Sequence, residues 1–195
     1  MTPSNDHISI LNDALQLEEE LDRWEKCQSE ELKASTIGSA PRRTSSIEYA
    51  AGYWPGNVDT YFDPYVAIIW NSYRAARLYL FDLISGLVST REDPKVNGPY
   101  NPDLDHLLED VLASIPYHLT ENLHQFIKNV EIDTSISIPG KTASGLLLMH
   151  PLHVISTLPI VDVKIQTYLK RCLFWIGDHM GVGQATLMAK VGGTF

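Results

Sequence analysis

The sequence predicts an all-α fold, a multi-helix array of six or seven helices around a central buried helix. Three observations lead there. Apolar residues recur at three- and four-residue spacing through most of the chain, strand-like alternation is confined to one short stretch, and the run from Asp63 to Ser89 is apolar on nearly every side. That run has a defined start: Asp63 offers its carboxylate to free backbone N–H groups, and Pro64 fits the first helical position, where its missing donor costs nothing. Ile69, Trp70, Tyr73, Ala76, Leu80, Leu83, Ile84 and Leu87 follow at helical spacing, with Ile68, Ala75, Leu78, Tyr79 and Phe81 across from them. After the cap the only charges are Arg74, Arg77 and Asp82. The two arginines lie three apart and need partners from other segments.

Ahead of this helix, Ile10, Ala14, Leu17, Leu21 and Trp24 mark an amphipathic helix from Ile8 to about Leu32. Glu19 with Arg23 and Asp22 with Lys26 sit at the spacing that lends surface support. The near-heptad stripe suits either a homodimer or packing back on the domain, and the latter is the simpler use. From Lys33 to Ser46 the composition turns to Ser, Thr, Gly, Pro and Arg, as in a flexible linker, so the chain divides into residues 1–46, helix and linker, and a helical domain over 47–195. Gly52, Pro55 and Gly56 break the chain again, surrounded by Tyr49, Tyr53, Trp54, Tyr61 and Phe62. These aromatics either cover a helix end or frame a ligand pocket.

Beyond the central helix, Pro94, Gly98, Pro99 and Pro102 form a loop, and Asp103 caps a third helix through Leu104, Leu107, Leu108, Val111, Leu112 and Ile115, which Pro116 stops or bends. A short helical piece from Leu119 to Ile127 follows. Val130, Ile132, Ile136 and Ile138 alternate, giving one short strand or, without a partner, an extended loop. Helix resumes from Gly145 to Leu158, kinked at Pro151 and closed by Pro159. Another runs from Val163 through Ile176 with Gly177 and Gly181 at its end, and a last turn or two spans Gln184 to Lys190.

The chain of 195 residues is near average in its apolar share, 44%, and charged share, 20%, which excludes global disorder. No apolar run is free enough of charge to span a membrane, and the N-terminus lacks a secretory pattern, so an intracellular protein is expected. A net charge of −9 argues against direct nucleic-acid binding by this chain. Cys27 and Cys172, far apart and without CxxC neighbours, form neither a disulfide framework nor a zinc knuckle, and no cofactor is indicated.

Chemistry-bearing constellations are few. Gly140-Lys141-Thr142 lacks the first glycine of a phosphate loop, since Ser135 stands there, and Gly181-x-Gly183 follows a helix rather than a strand. No serine or cysteine sits in a nucleophile turn, so no catalytic residue is assigned and the chain is expected not to be an enzyme. His150 and His153, three apart on one helix, are better read as ordinary hydrogen-bonded histidines than as metal ligands with His118 or Asp103. Arg74 and Arg77 remain as an ion-pair or anion site. Tyr53, Trp54, Trp70, Tyr73, His150 and His153 are the candidate pocket or interface.

Four stretches resemble a known family. They are Trp70-x-x-Tyr73-Arg74-Ala75-Ala76-Arg77; Ala113-Ser114-Ile115-Pro116-Tyr117-His118-Leu119; Leu146 to Val154, where His150 and His153 replace the usual aromatics; and Ile176-Gly177 through Met180-Gly181 to Gln184-Ala185. In order and spacing they are similar to the C-terminal part of the fungal-specific transcription factor domain, the helical regulatory region of fungal binuclear zinc cluster regulators. The resemblance extends from about Leu15 to the C-terminus. It implies a nuclear regulator of transcription, otherwise cytoplasmic, that acts through protein partners of the transcription machinery, a parent regulator or a small effector. It transfers no catalytic residue. The family's six-cysteine zinc segment has no counterpart here, which implies either a piece of a longer regulator or a free-standing regulatory fold; a stand-alone binding protein is the alternative.

Overall fold

The computed structural model describes residues 5–42, 49–89, 102–130, 136 and 138–191. Seven α-helices and one two-stranded sheet occur among them: α1 (Asn5–Lys26), β1 (Ser35–Ala40), β2 (Gly56–Thr60), α2 (Pro64–Ser89), α3 (Pro102–Leu119), α4 (Leu123–Asn129), α5 (Thr142–Thr157), α6 (Val163–His179) and α7 (Gly183–Lys190). The predicted all-α array around a central helix is the architecture found.

The central helix α2 opens as its sequence dictates: Asp63 Oδ1 accepts from the Val66 N–H at 2.8 Å, and Pro64 is the first helical residue. It packs against α1, α3 and α5, while α6 lies between α5 and α7. Leu78, Ile115, Leu148, Leu152, Ile155, Leu169, Leu173 and Ile176 fill the shared core with no contact to water. Removing such side chains from water is the main favourable term in folding. One face of α2 departs from the expected burial, since Tyr65, Ile69, Ala76 and Tyr79 are exposed.

The linker expected from Lys33 to Ser46 is corrected by β1, which pairs antiparallel with β2 from Ser35↔Thr60 to Ala40↔Gly56, with an irregularity between Thr36 and Gly38. The strand carries no apolar alternation because backbone pairing, not side-chain burial, holds it. Thr36 Oγ1 donates to Asp59 Oδ1 at 2.7 Å, and Tyr53 donates to the Pro41 carbonyl. Gly38 lets the ribbon approach α4, since a Cβ there would lie 2.8 Å from Ile127 Cγ2. A second small core of Ala40, Tyr53, Val58, Phe126 and Val130 forms beneath it. The boundary placed between residues 46 and 47 falls outside the described residues, as do Pro94, Gly98, Pro99 and Ile132.

Other boundaries move for local reasons. Pro102 begins α3 rather than ending a loop, and Pro116 does not stop it: the helix runs to Leu119, and the Thr120 N–H donates to the Pro116 carbonyl at 3.1 Å. α4 begins four residues later than expected, at Leu123, where Asn122 Oδ1 accepts from the Gln125 N–H at 2.9 Å. The break between them is held by the Glu121 N–H donating to the Ile138 carbonyl at 3.2 Å and a single bridge from Thr120 to Pro139. α5 starts at Thr142 and passes through Pro151. Gly177 lies inside α6 instead of ending it, and its missing side chain lets α7 approach: a Cβ would collide with Thr186 Oγ1 and stand 3.0 Å from the Thr186 nitrogen. Gly181, at φ +74°, makes the turn that ends α6, in the conformation that favours glycine.

Candidate functional site

Arg74 and Arg77 point from α2 to different neighbours. Arg77 faces α1, where it meets Glu18, lies 3.3 Å from Glu25 Oε2 and donates to the Tyr73 hydroxyl at 2.9 Å. Tyr73 in turn donates to Glu25 Oε2 at 2.8 Å. Trp24 of α1 lies over Trp70 and Tyr73, with ring centroids 5.3 and 4.9 Å away, and Trp70 Nε1 donates to the Leu32 carbonyl at 2.6 Å. This combination fixes the C-terminal half of α1 to the domain through Leu21 and Trp24, while Ile8, Ile10, Leu15 and Leu17 of its apolar stripe stay exposed. Burial works against the Arg77 charge, and Glu18 with Tyr73 more than restores it.

Arg74 is buried and faces α3 and the sheet. Its Nη1 donates to the Tyr61 hydroxyl at 2.8 Å and to Asn71 Oδ1 at 3.2 Å, while Nη2 lies 3.2 Å from Asp110 Oδ2. Trp70 and Tyr61 present their rings to the guanidinium at 5.7 and 6.0 Å from its carbon. Burial again works against this charge, and Tyr61, Asp110 and Asp59 offset it. The charge is thus met by groups of the domain itself.

The chain of polar contacts continues inward. Asn71 Oδ1 also accepts from Ser114 Oγ at 3.1 Å, which turns its amide nitrogen toward His118 Nε2, 3.4 Å away. A donor at Nε2 leaves the imidazole proton on Nδ1, which donates to Ser144 Oγ at 2.9 Å. Burial holds the His118 pKa down at about 4. A serine, a histidine and an asparagine in sequence suggest acyl-transfer machinery, but the chemistry is reversed. The imidazole presents N–H, not a lone pair, to the serine, it is too weak a base near neutrality, and none of its surface meets solvent. The network is therefore a polar clamp joining α2, α3 and α5.

Sequence reasoning missed this clamp, although a signal exists: Ser114 and His118 continue the spacing of Leu107 and Val111 on the buried side of α3. Polar residues on an apolar stripe mark a buried polar contact.

The six residues of the candidate pocket or interface fall into three environments. Trp70 and Tyr73 hold α1, as described. Tyr53 is buried beneath the sheet, beside Trp54, whose ring packs on Tyr49 and Tyr168 at centroid distances of 4.9 Å each. His150 is exposed on α5, and His153 is half-buried, its Nδ1 without a hydrogen-bond partner among the described residues. Trp54 does line a cleft of about 280 Å³, with Leu108, Leu112 and Ile165 as apolar walls and Asp105 and Glu109 at its edge.

Two cysteines give no donor set for a zinc cluster, and no group of three or more His, Cys, Asp or Glu side chains suited to a metal ion is found among the described residues. Nor is any described helix long and apolar enough to cross a membrane.

Over 174 residues, 89% of its length, the chain is 41% identical to the transcription factor dbaG of Emericella nidulans. The relationship is to a fungal transcription factor. The matched part is 41% of that protein, so the chain spans less than half the length of this relative. No model of a known protein family matches the chain. No solved structure matches it either.

Proposed function

We propose that this chain is a regulatory module of a fungal transcription regulator, corresponding to the C-terminal part of the fungal-specific transcription factor domain and lacking a zinc cluster of its own. It controls transcription in the nucleus, without catalysis, through protein contacts or a small effector. The observation that carries this reading is the 41% identity to a transcription factor along nearly the whole chain. Support also comes from the stretches around Trp70 to Arg77 and Ala113 to Leu119, which meet through Asn71, Ser114 and His118 in one polar clamp. The chain's charge of −9 suits action beside DNA-bound partners better than contact with phosphates.

Tethering the chain to an unrelated DNA-binding domain tests this. Reporter output changes in either direction, and the change weakens when the helical domain is destabilised by Arg74→Ala. A folded, tethered chain that leaves the reporter untouched in both activation and repression assays refutes the reading.

A second reading, binding of a small molecule, is favoured by the cleft at Trp54. Its apolar walls beside two carboxylates fit an amphipathic amine, whose hydrocarbon part lies on Leu108, Leu112 and Ile165 while its ammonium faces Asp105 and Glu109. A panel of such amines raises the melting temperature of the wild type and not of Ile165→Trp, whose partly buried position lets the larger ring occupy the cleft. No shift with any amine removes this reading.

A further inference from the structure

The cleft beside Trp54 holds two carboxylates that no arginine or lysine answers. Among the described residues neither Asp105 nor Glu109 has such a cation within ion-pair distance, and the two stand four residues apart on one face of α3, beside the apolar walls. The titratable group that meets them is His106, which lines the same cleft. Its Nδ1 stands 3.9 Å from Glu109 Oε2, and both side chains are largely exposed. The other elements around the cleft bring Trp54, ahead of β2, and Ile165 of α6, neither of which carries a charge. Any change of charge inside the cleft near neutral pH therefore falls on His106.

We propose that His106 decides when this cleft accepts an amine, by claiming Glu109 once the imidazole is charged. The proposal rests on the small-molecule reading of the cleft and adds its control. At 3.9 Å a neutral imidazole makes no hydrogen bond to the carboxylate, so Glu109 stays available to the ammonium of a ligand. Protonation puts a positive charge at the same distance. That charge neutralises Glu109 and repels the incoming ammonium, which leaves Asp105 as the remaining anchor.

Histidine side chains change charge between about pH 8 and pH 5, a range in which carboxylates keep theirs and a primary amine stays protonated. Acidification across that range thus removes one of the two anchors and alters nothing else in the cleft. The groups lie at an exposed edge and are screened by water, so the change in affinity is about fivefold. The coupling is reciprocal: a bound ammonium makes His106 the weaker base, and binding at about pH 6.5 expels part of a proton.

Isothermal titration of the full chain with phenethylamine at low ionic strength, at about pH 8 and about pH 5.5, tests the proposal. The wild type binds about fivefold more tightly at the higher pH. His106→Gln, on an exposed position, binds with one affinity at both, and Glu109→Gln binds at the higher pH about as weakly as the wild type does at the lower. Phenethyl alcohol, of the same shape without the charge, binds the wild type equally at both. At about pH 6.5, titrations in two buffers of different ionisation heat show proton release by the wild type and none by His106→Gln. The remaining histidines are common to both proteins and cancel in the comparison. An amine that binds the wild type and His106→Gln with the same pH dependence overturns the role of His106 and leaves the reading of the cleft standing. So does Glu109→Gln with wild-type affinity at the higher pH. Absence of amine binding to every one of these proteins at either pH overturns the proposal together with the reading it rests on.

Discussion

Arg74→Ala lowers the free energy of unfolding by about 3–5 kcal/mol, the cost of breaking a buried, hydrogen-bonded charge and leaving its partners unpaired. The guanidinium is 3% exposed and serves Tyr61, Asn71 and Asp110 at once. Its removal strands the Tyr61 hydroxyl and takes away one of the two donors that orient the Asn71 amide. That amide holds His118, so the loss passes from α2 into α3 and α5. Arg74→Lys recovers little, because an ammonium cannot span three acceptors in a plane. Urea titration of the variants measures the effect. The Asp110 side chain is half exposed, so a double-mutant cycle between Arg74→Ala and Asp110→Asn gives a coupling of only ~1 kcal/mol or less. A destabilisation by Arg74→Ala below ~1 kcal/mol shows that the arginine is not the centre of the clamp.

Stability falls as the pH is lowered from 6.5 toward 4, and His118 supplies a large part of the fall. Its folded pKa, about 4, lies below the ordinary 6.5. The unfolded chain therefore takes up a proton first, and the folded state refuses one until near pH 4. Each unit of acidification in that window costs about 1.4 kcal/mol, roughly 3 kcal/mol in all, and above the window this group contributes no slope. Carboxylates add their own slope at the acid end, so the comparison is with His118→Gln, which keeps an acceptor and a donor but does not titrate. Unfolding free energies of the two proteins, subtracted at each pH, isolate the histidine. The difference changes steeply between pH 6.5 and 4 and is flat above. Parallel curves refute the buried, neutral state assigned to His118.

The clamp joins stretches that lie far apart in sequence. Asn71 and Arg74 lie within one similar stretch, Ser114 and His118 within another, and they are neighbours in space across two helices. Buried polar groups must each find a partner, so a substitution at one leaves the others unsatisfied.

By itself the sequence determined the helical content, the position of the central helix and its cap, and the net negative charge. These are local or additive properties: helical periodicity, an Asp-Pro start and a sum of charges are all written in neighbouring residues. The tertiary structure alone decided the rest. Strand β1 exists because β2 offers it a backbone ladder, which polar Ser and Thr residues do not announce. Gly177 lies within α6 where α7 passes too close for a Cβ, and Pro116 is carried through by the helix that continues to Leu119. Which stripe of α2 would remain bare was likewise undecided, since Ile69 and Trp70 are equally apolar in sequence. α1, α3 and α5 occupy the side bearing Trp70, Arg74 and Leu78, and the row from Tyr65 to Tyr79 is the face they leave uncovered. Arg74 and Arg77 share a helix and a spacing, yet three residues of rotation direct one into the core clamp and the other toward the acids of α1. Partners distant in sequence set both outcomes, and a local pattern carries no information about them.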